Sequence, residues 1–232
     1  MFVPFGTAHL VVLALVIVVA MALVMLVRLW SAPWLIRTIR WALATLLMAG
    51  WALWLVLMCK RGSVSVATLL PMQLCDWATI AAAVTLVYPS QRTYELGYFW
   101  ALGGTLQALL TPALSADYPD LAFMIFFVLH GGVIVSVLFL TLGLRMRPWP
   151  SSIPRVVIWS ASYLVSAIVV NAAFGTNFGF LSAKAAQPSL LDYLAPWPYY
   201  IIELVLVGLG TVAALYAPFF FRDWIAGRRS RN

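Results

Sequence analysis

Along the chain, long uninterrupted apolar runs alternate with short clusters of charged residues, proline and glycine. A helix that crosses a bilayer needs roughly 20 mostly apolar residues. Seven stretches meet that length, at about His9–Trp30, Ile39–Cys59, Leu69–Tyr88, Tyr94–Ala113, Leu121–Leu144, Ile153–Phe174 and Trp197–Phe221. The fourth is the least regular, because Gly103 and Gly104 interrupt a short run between Glu95 and Asp117. Strands of a membrane barrel alternate polar and apolar positions, and runs such as Val11–Val19 do not. The pattern predicts an all-α, polytopic membrane protein with seven transmembrane helices, one domain over residues 1–232, with no internal repeat.

Composition names the solvent. Hydrophobic residues make up 64% of the 232 residues and charged residues only 9%, with a mean hydropathy of +1.00. A soluble domain carries about 25% charged residues. A core of this length cannot hide the excess apolar surface from water. A soluble enzyme, a disordered chain and a secreted disulfide scaffold are thereby excluded. Two cysteines are too few for a disulfide framework. No Lys or Arg precedes the first apolar run, so it reads as a retained span rather than a signal peptide.

The net charge of +7 would suggest nucleic acid in a soluble protein. Here it speaks to topology instead. Arg28, Arg37, Arg40, Arg92, Arg145, Arg147, Arg155, Arg222, Arg228, Arg229 and Arg231 fall on one side, against Lys60, Arg61 and Lys184 on the other. Cations mark the cytoplasmic side, so the N-terminus is expected outside and the C-terminus in the cytoplasm of a multi-pass cell-membrane protein. Trp30, Trp34, Trp149, Trp197 and Trp224 stand at span ends, as interfacial anchors do.

Polar groups inside lipid need partners, so their depth is informative. In this topology Cys75 and Asp76 lie in the first turns of span three, with Pro71 in the first helical turn. His130 lies about nine residues into span five and Glu203 about six into span seven. Gln107, Thr111 and Asn171 approach the same outer half from below, and His9 sits at the outer mouth of span one. The inner half offers no comparable set. Each residue also has a structural reading: Gln107 and Asn171 as helix-bridging glue, His9 as a boundary residue, Cys75 as a packed side chain or half of a bridge to Cys59. Asp76 and Glu203 must be protonated, paired or solvated. The pairs Gly103-Gly104 and Gly131-Gly132 permit close helix approach or a ligand chain. The outer segment Gly175–Pro196, about 20 residues long, is either an exposed loop or a lid. No Walker loop, HExxH, GxSxG or CxxC motif occurs, so neither a cofactor nor a metal site is expected.

Several ordered segments resemble one family. They are Pro71-Met72-Gln73-Leu74-Cys75-Asp76, the block from Glu95 through Tyr98-Phe99-Trp100 and Gly103-Gly104 to Gln107 and Leu110-Thr111-Pro112, then His130-Gly131, Gly175-Thr176-Asn177, and Ser189-Leu190-Leu191-Asp192 leading to Pro196-Trp197-Pro198. In these the chain resembles the YwaF-like integral membrane proteins and vertebrate relatives proposed as ether-phospholipid acyltransferases. More distantly it is similar to androgen-induced membrane proteins that hydrolyse fatty acid esters. The resemblance implies a cysteine and a histidine for acyl transfer, here Cys75 and His130. It departs at Gln73, where the family pattern often has a histidine.

The expected function is a membrane-embedded lipid acyltransferase or lipid hydrolase. Cys75 attacks an acyl ester to give a thioester and His130 moves the proton. Gln107, Asn171 and Asn177 are candidate oxyanion donors. Asp76 and Glu203 are candidates to orient His130, with Gln73 beside them. Membrane lipids are the expected substrate or ligand. The alternative is a non-enzymatic lipid or amphiphile binder or transporter using the same outer polar site.

Overall fold

A computed structural model describes residues 2–186 and 189–229, with side chains described through residue 226. Of the basic cluster at the C-terminus, Arg231 therefore lies outside the described residues. Nine α-helices and two π-helical turns dominate, and no strand occurs among the described residues. In chain order they are α1 (Thr7–Leu29), α2 (Pro33–Lys60), α3 (Val66–Leu69), α4 (Leu74–Val87), α5 (Gln91–Trp100), α6 (Leu106–Leu110), α7 (Leu121–Leu138), α8 (Ser152–Phe174) and α9 (Tyr200–Arg229). Six helical stretches are long and apolar enough to cross a membrane. A seventh continuous helix, made of α5, the π turn Ala101–Thr105 and α6, stands where the fourth span is expected. Its glycines sit inside the π turn, and its mixed composition hides it from a hydropathy threshold.

Helix α7 is the hub. In its most apolar stretch 67% of the residues are buried, against 17% in α1 and none in α9. Lipid solvates the outer faces of those peripheral helices, so they need no protein cover. Close approach comes from small residues. The face Ala78, Ala81, Ala82 and Ala83 of α4 is buried, and Gly97 of α5 meets the Ala82 backbone. The glycine pairs work the same way. A Cβ on Gly131 would lie 2.6 Å from Val16, one on Gly132 3.1 Å from Leu47, and one on Gly104 3.0 Å from Leu74. Neighbouring helices, not an open channel, occupy the space the missing side chains leave.

Two boundaries differ from the sequence expectation. The third crossing is broken: α3 ends, Leu70–Gln73 is non-helical, and α4 starts at Leu74. Leu70 precedes Pro71 and is extended (φ −82°, ψ 128°), as the proline ring demands of its predecessor. Pro71 thus stands ahead of α4 rather than in its first turn. The seventh helix begins later than Trp197 and runs on to Arg229. Hydropathy reports contact with lipid, whereas backbone bonding continues past the lipid edge.

Candidate functional site

The break before α4 builds the site. Gln73 is the N-cap of α4, and its amide donates to Asp76 Oδ2 at 2.9 Å, satisfying a donor at the helix start. The Gln73 side-chain oxygen accepts from the Gly179 amide at 3.0 Å. One residue thus anchors both the start of α4 and the loop that follows α8. Cys75 is the second residue of α4 and half-buried. It is a free thiol, as is exposed Cys59, so no disulfide joins them.

Aromatic and apolar groups pack around the start of α4. Trp77 meets the edges of Trp100 at 5.9 Å and Tyr163 at 5.3 Å between ring centroids. Phe178 and Leu181 form a buried cluster with Tyr163 and Ala167, against which Leu74 and Trp77 pack. Gly179 adopts φ +65°, and a Cβ there would lie 2.7 Å from the Tyr163 hydroxyl. Only glycine fits both the left-handed backbone and that contact. From the other side the π turn brings Thr105 to the thiol. Thr105 and Tyr163 are buried, yet neither hydroxyl has a hydrogen-bond partner of ordinary geometry.

The loop after α8 is held down rather than free. Asn171 donates to the Phe178 carbonyl at 3.0 Å, and its oxygen accepts from the Phe178 amide at 2.7 Å and the Thr176 hydroxyl at 2.8 Å. Asn177 accepts from the Ser182 and Ala183 amides and donates to the Ala183 carbonyl. Glu203 accepts from the Ala195 amide at 2.7 Å, and the Tyr200 hydroxyl donates to the Phe180 carbonyl. Residues 175–186 therefore cover the start of α4. Asn171 and Asn177 spend their described side-chain bonds on that cover and Glu203 on the Ala195 amide, and none of these bonds reaches the thiol.

His130 is half-buried on α7, stacked on the Phe126 ring at 4.0 Å. Its Nδ1 donates to the Phe126 carbonyl at 2.9 Å, which leaves Nε2 with the free lone pair. Among the described residues no hydrogen bond joins His130 to Cys75, Asp76 or Glu203. Both α4 and α7 pack against the π turn Ala101–Thr105, so cysteine and histidine flank one segment without touching through a bond. Gln107 is exposed and lies roughly 200° around the helix from Thr105, away from the thiol. His9 accepts from the Phe5 amide at 2.9 Å and bonds the Leu109 carbonyl at 2.8 Å. With both ring nitrogens engaged, it ties α1 to the end of α6. Two clefts open near this end, of about 260 Å³ beside Gly6, His9 and Asp117 and about 250 Å³ beside Thr111, Leu190 and Tyr193. Among the described residues, no cluster of three His, Cys, Asp or Glu is placed to hold a metal.

A family model described as the TMEM164 family matches residues 4–216. The chain belongs to the TMEM164 family, a family of membrane proteins. No curated protein and no solved structure matches it.

This TMEM164-family chain also carries a polar network at the opposite end of its helices, where the sequence pattern led us to expect no comparable set. Glu95 on α5 has a side chain 1% exposed and is paired with Arg155 of α8. Gln91 donates to the other Glu95 oxygen at 2.9 Å and to the Arg147 carbonyl at 2.7 Å. Tyr94 bonds Thr141 of the second π turn, Phe139–Gly143, at 2.9 Å and the Met146 carbonyl at 3.0 Å. Arg147 pairs with Asp223 at 2.6 Å. In the sequence Glu95 reads as a boundary residue. Its helical spacing to Gln91 was the available signal, and its partner Arg155 is 60 residues away.

Proposed function

We propose that this chain is a membrane-embedded lipid acyltransferase or lipid ester hydrolase, with Cys75 as nucleophile and His130 as the proton carrier. The carrying observation is the thiol itself: a free cysteine at the second position of α4, in a helix start packed against Tyr163 and Phe178 and covered by a loop tied down at Gln73. These apolar groups suit an acyl chain and exclude water from a thioester.

The thiolate adds to the ester carbonyl, the lysolipid oxygen leaves, and a thioester forms on Cys75. His130, with Nε2 unengaged, takes the thiol proton and returns it to the leaving oxygen, through water or after a helix adjustment. The second half-reaction runs the same steps backwards onto a lysolipid hydroxyl or water. The eleven-to-three cation asymmetry supports an orientation with the N-terminus outside and the site in the outer half. Lipid then reaches the thiol without leaving its leaflet. The Glu95–Arg155 pair and the Tyr94–Thr141 bond fill the opposite end, which disfavours a transport path.

The test is turnover of phospholipid and lysophospholipid by the purified chain in nanodiscs, for wild type and Cys75→Ala. The substitution is expected to abolish acyl exchange and ester hydrolysis. Turnover at wild-type rate in the variant would remove the thioester mechanism.

A further inference from the structure

The free hydroxyls beside Cys75 have a cause in the backbone. Thr79, Thr85, Thr111, Ser136, Ser162 and Thr211 each donate to the carbonyl four residues earlier. This is the ordinary resting place of a helical hydroxyl. Thr105 is denied it. In the π turn the carbonyl of Ala101, four residues before Thr105, accepts from the Leu106 amide instead. In the second π turn the hydroxyl of Thr141 is bonded to Tyr94. Thr105 has no such partner and is fully buried.

Tyr163 reaches the same place from α8. It is 7% exposed, its hydroxyl abuts Gly179 and faces the Leu74 amide at the start of α4, and it lies close enough to Cys75 and Asp76 to feel their charge. Asp76 accepts from the Gln73 amide and not from the Tyr163 hydroxyl. A buried hydroxyl without a partner costs on the order of 1–3 kcal/mol. Two of them, on separate helices and flanking one thiol, mark a place for an acceptor that the protein does not itself contain.

We propose that Thr105 Oγ1 and Tyr163 Oη are the hydrogen-bond donors for the carbonyl oxygen of the acyl group that Cys75 attacks. This rests on the acyl-transfer reading and deepens it: the ligand is an ester carbonyl, in place of the amide donors expected from Gln107, Asn171 and Asn177. As sulfur bonds to the carbonyl carbon, the C=O π pair moves onto oxygen, and both hydroxyls donate to the oxyanion. When the pair returns, the C–O ester bond breaks, the alkoxide leaves with the proton held by His130, and the thioester oxygen stays between the two donors. Thr105 and Tyr163 exchange no proton over the cycle. The π turn is thus a device for sparing one threonine from its own helix.

The test separates chemistry that makes an oxyanion from chemistry that does not. Wild type, Thr105→Val, Thr105→Ser and Tyr163→Phe chains in phosphatidylcholine nanodiscs are treated with nitrophenyl laurate or with iodoacetamide. Modification of Cys75 is followed over time by peptide mass spectrometry, which resolves it from exposed Cys59. Alkylation by iodoacetamide displaces iodide and forms no oxyanion, so it controls for folding and thiol access. Loss of one oxyanion donor costs on the order of 100-fold. Thr105→Val and Tyr163→Phe are expected to slow acylation by about that factor while leaving alkylation unchanged, and Thr105→Ser to retain the wild-type rate. Acylation unchanged in both variants overturns the proposal, as does an equal fall in acylation and alkylation. A wild-type Cys75 that alkylates but never acylates removes the acyl-transfer reading itself, and this assignment with it.

Discussion

Breaking the Glu95–Arg155 pair should show a strong asymmetry between its two halves. The carboxylate side chain is 1% exposed and the guanidinium 32%. Replacing Arg155 with Met strands a buried carboxylate whose remaining described side-chain donor is Gln91. Removing one partner of a buried pair costs about 3–5 kcal/mol. Replacing Glu95 with Gln instead leaves a neutral amide that still accepts from Gln91, while the freed guanidinium keeps Ser151 at 3.2 Å and reaches solvent. That costs roughly 1–2 kcal/mol, the scale of one lost charged hydrogen bond. For a chain of this size 1 kcal/mol moves Tm by about 2–4 °C. Arg155→Met should therefore lower Tm by roughly 6–20 °C and Glu95→Gln by roughly 2–8 °C. The double variant with Met at both positions should recover most of the Arg155→Met loss, because no charge is left buried. The assay is thermal unfolding in one detergent, read as loss of the monodisperse peak after heating. Equal losses for the two single variants, or a double variant as unstable as Arg155→Met, would refute the claim that the stranded carboxylate carries the cost.

Other consequences concern the covering loop and the outer rim. Asn171→Ala removes three bonds to Thr176 and Phe178, so limited proteolysis should cut residues 175–186 much faster, with the helices intact; wild-type resistance would contradict the anchoring role. Asp120 accepts from the Ala122 amide and pairs with Arg61 at 2.9 Å. The amide first, then the guanidinium, hold its carboxyl below the usual value of 3.8. A carboxyl lowered on folding stabilises above its unfolded pKa, and that contribution disappears as pH falls through the folded value. Asp120→Asn should therefore be less stable than wild type at pH 6, with the gap closing below about pH 4; a gap independent of pH would exclude the ionic contribution.

Much of the frame is legible one residue at a time. The apolar runs locate the six helices long and apolar enough to cross a membrane, and Asp120 ahead of Leu121 marks the start of α7 by its capping chemistry. Pro71 announces a helix boundary, though not on which side of itself the helix starts. Candidate site residues were legible in part. Cys75, Gln73, Asn171 and Asn177 do gather at one end, because depth along a helix follows from residue count. Direction around a helix is less secure, and Gln107 shares the depth but not the face. Glu95 was hidden because a charged residue one turn from Arg92 and the Pro89-Ser90 turn looks like surface until α8 covers it.

Composition and patterning by themselves determined the solvent, the all-helical class and the long apolar helices, since those depend on sums over neighbours in the chain. Tertiary structure decided which polar groups are satisfied. Gln73 finds Gly179 across 106 residues and Glu95 finds Arg155 across 60, whereas Thr105 and Tyr163 meet at Cys75 and find nothing. Hydropathy is additive along a strand of sequence; a hydrogen bond needs two atoms in register. The π turn that frees Thr105 is a change of register by one residue, and it becomes visible only when the helices are packed.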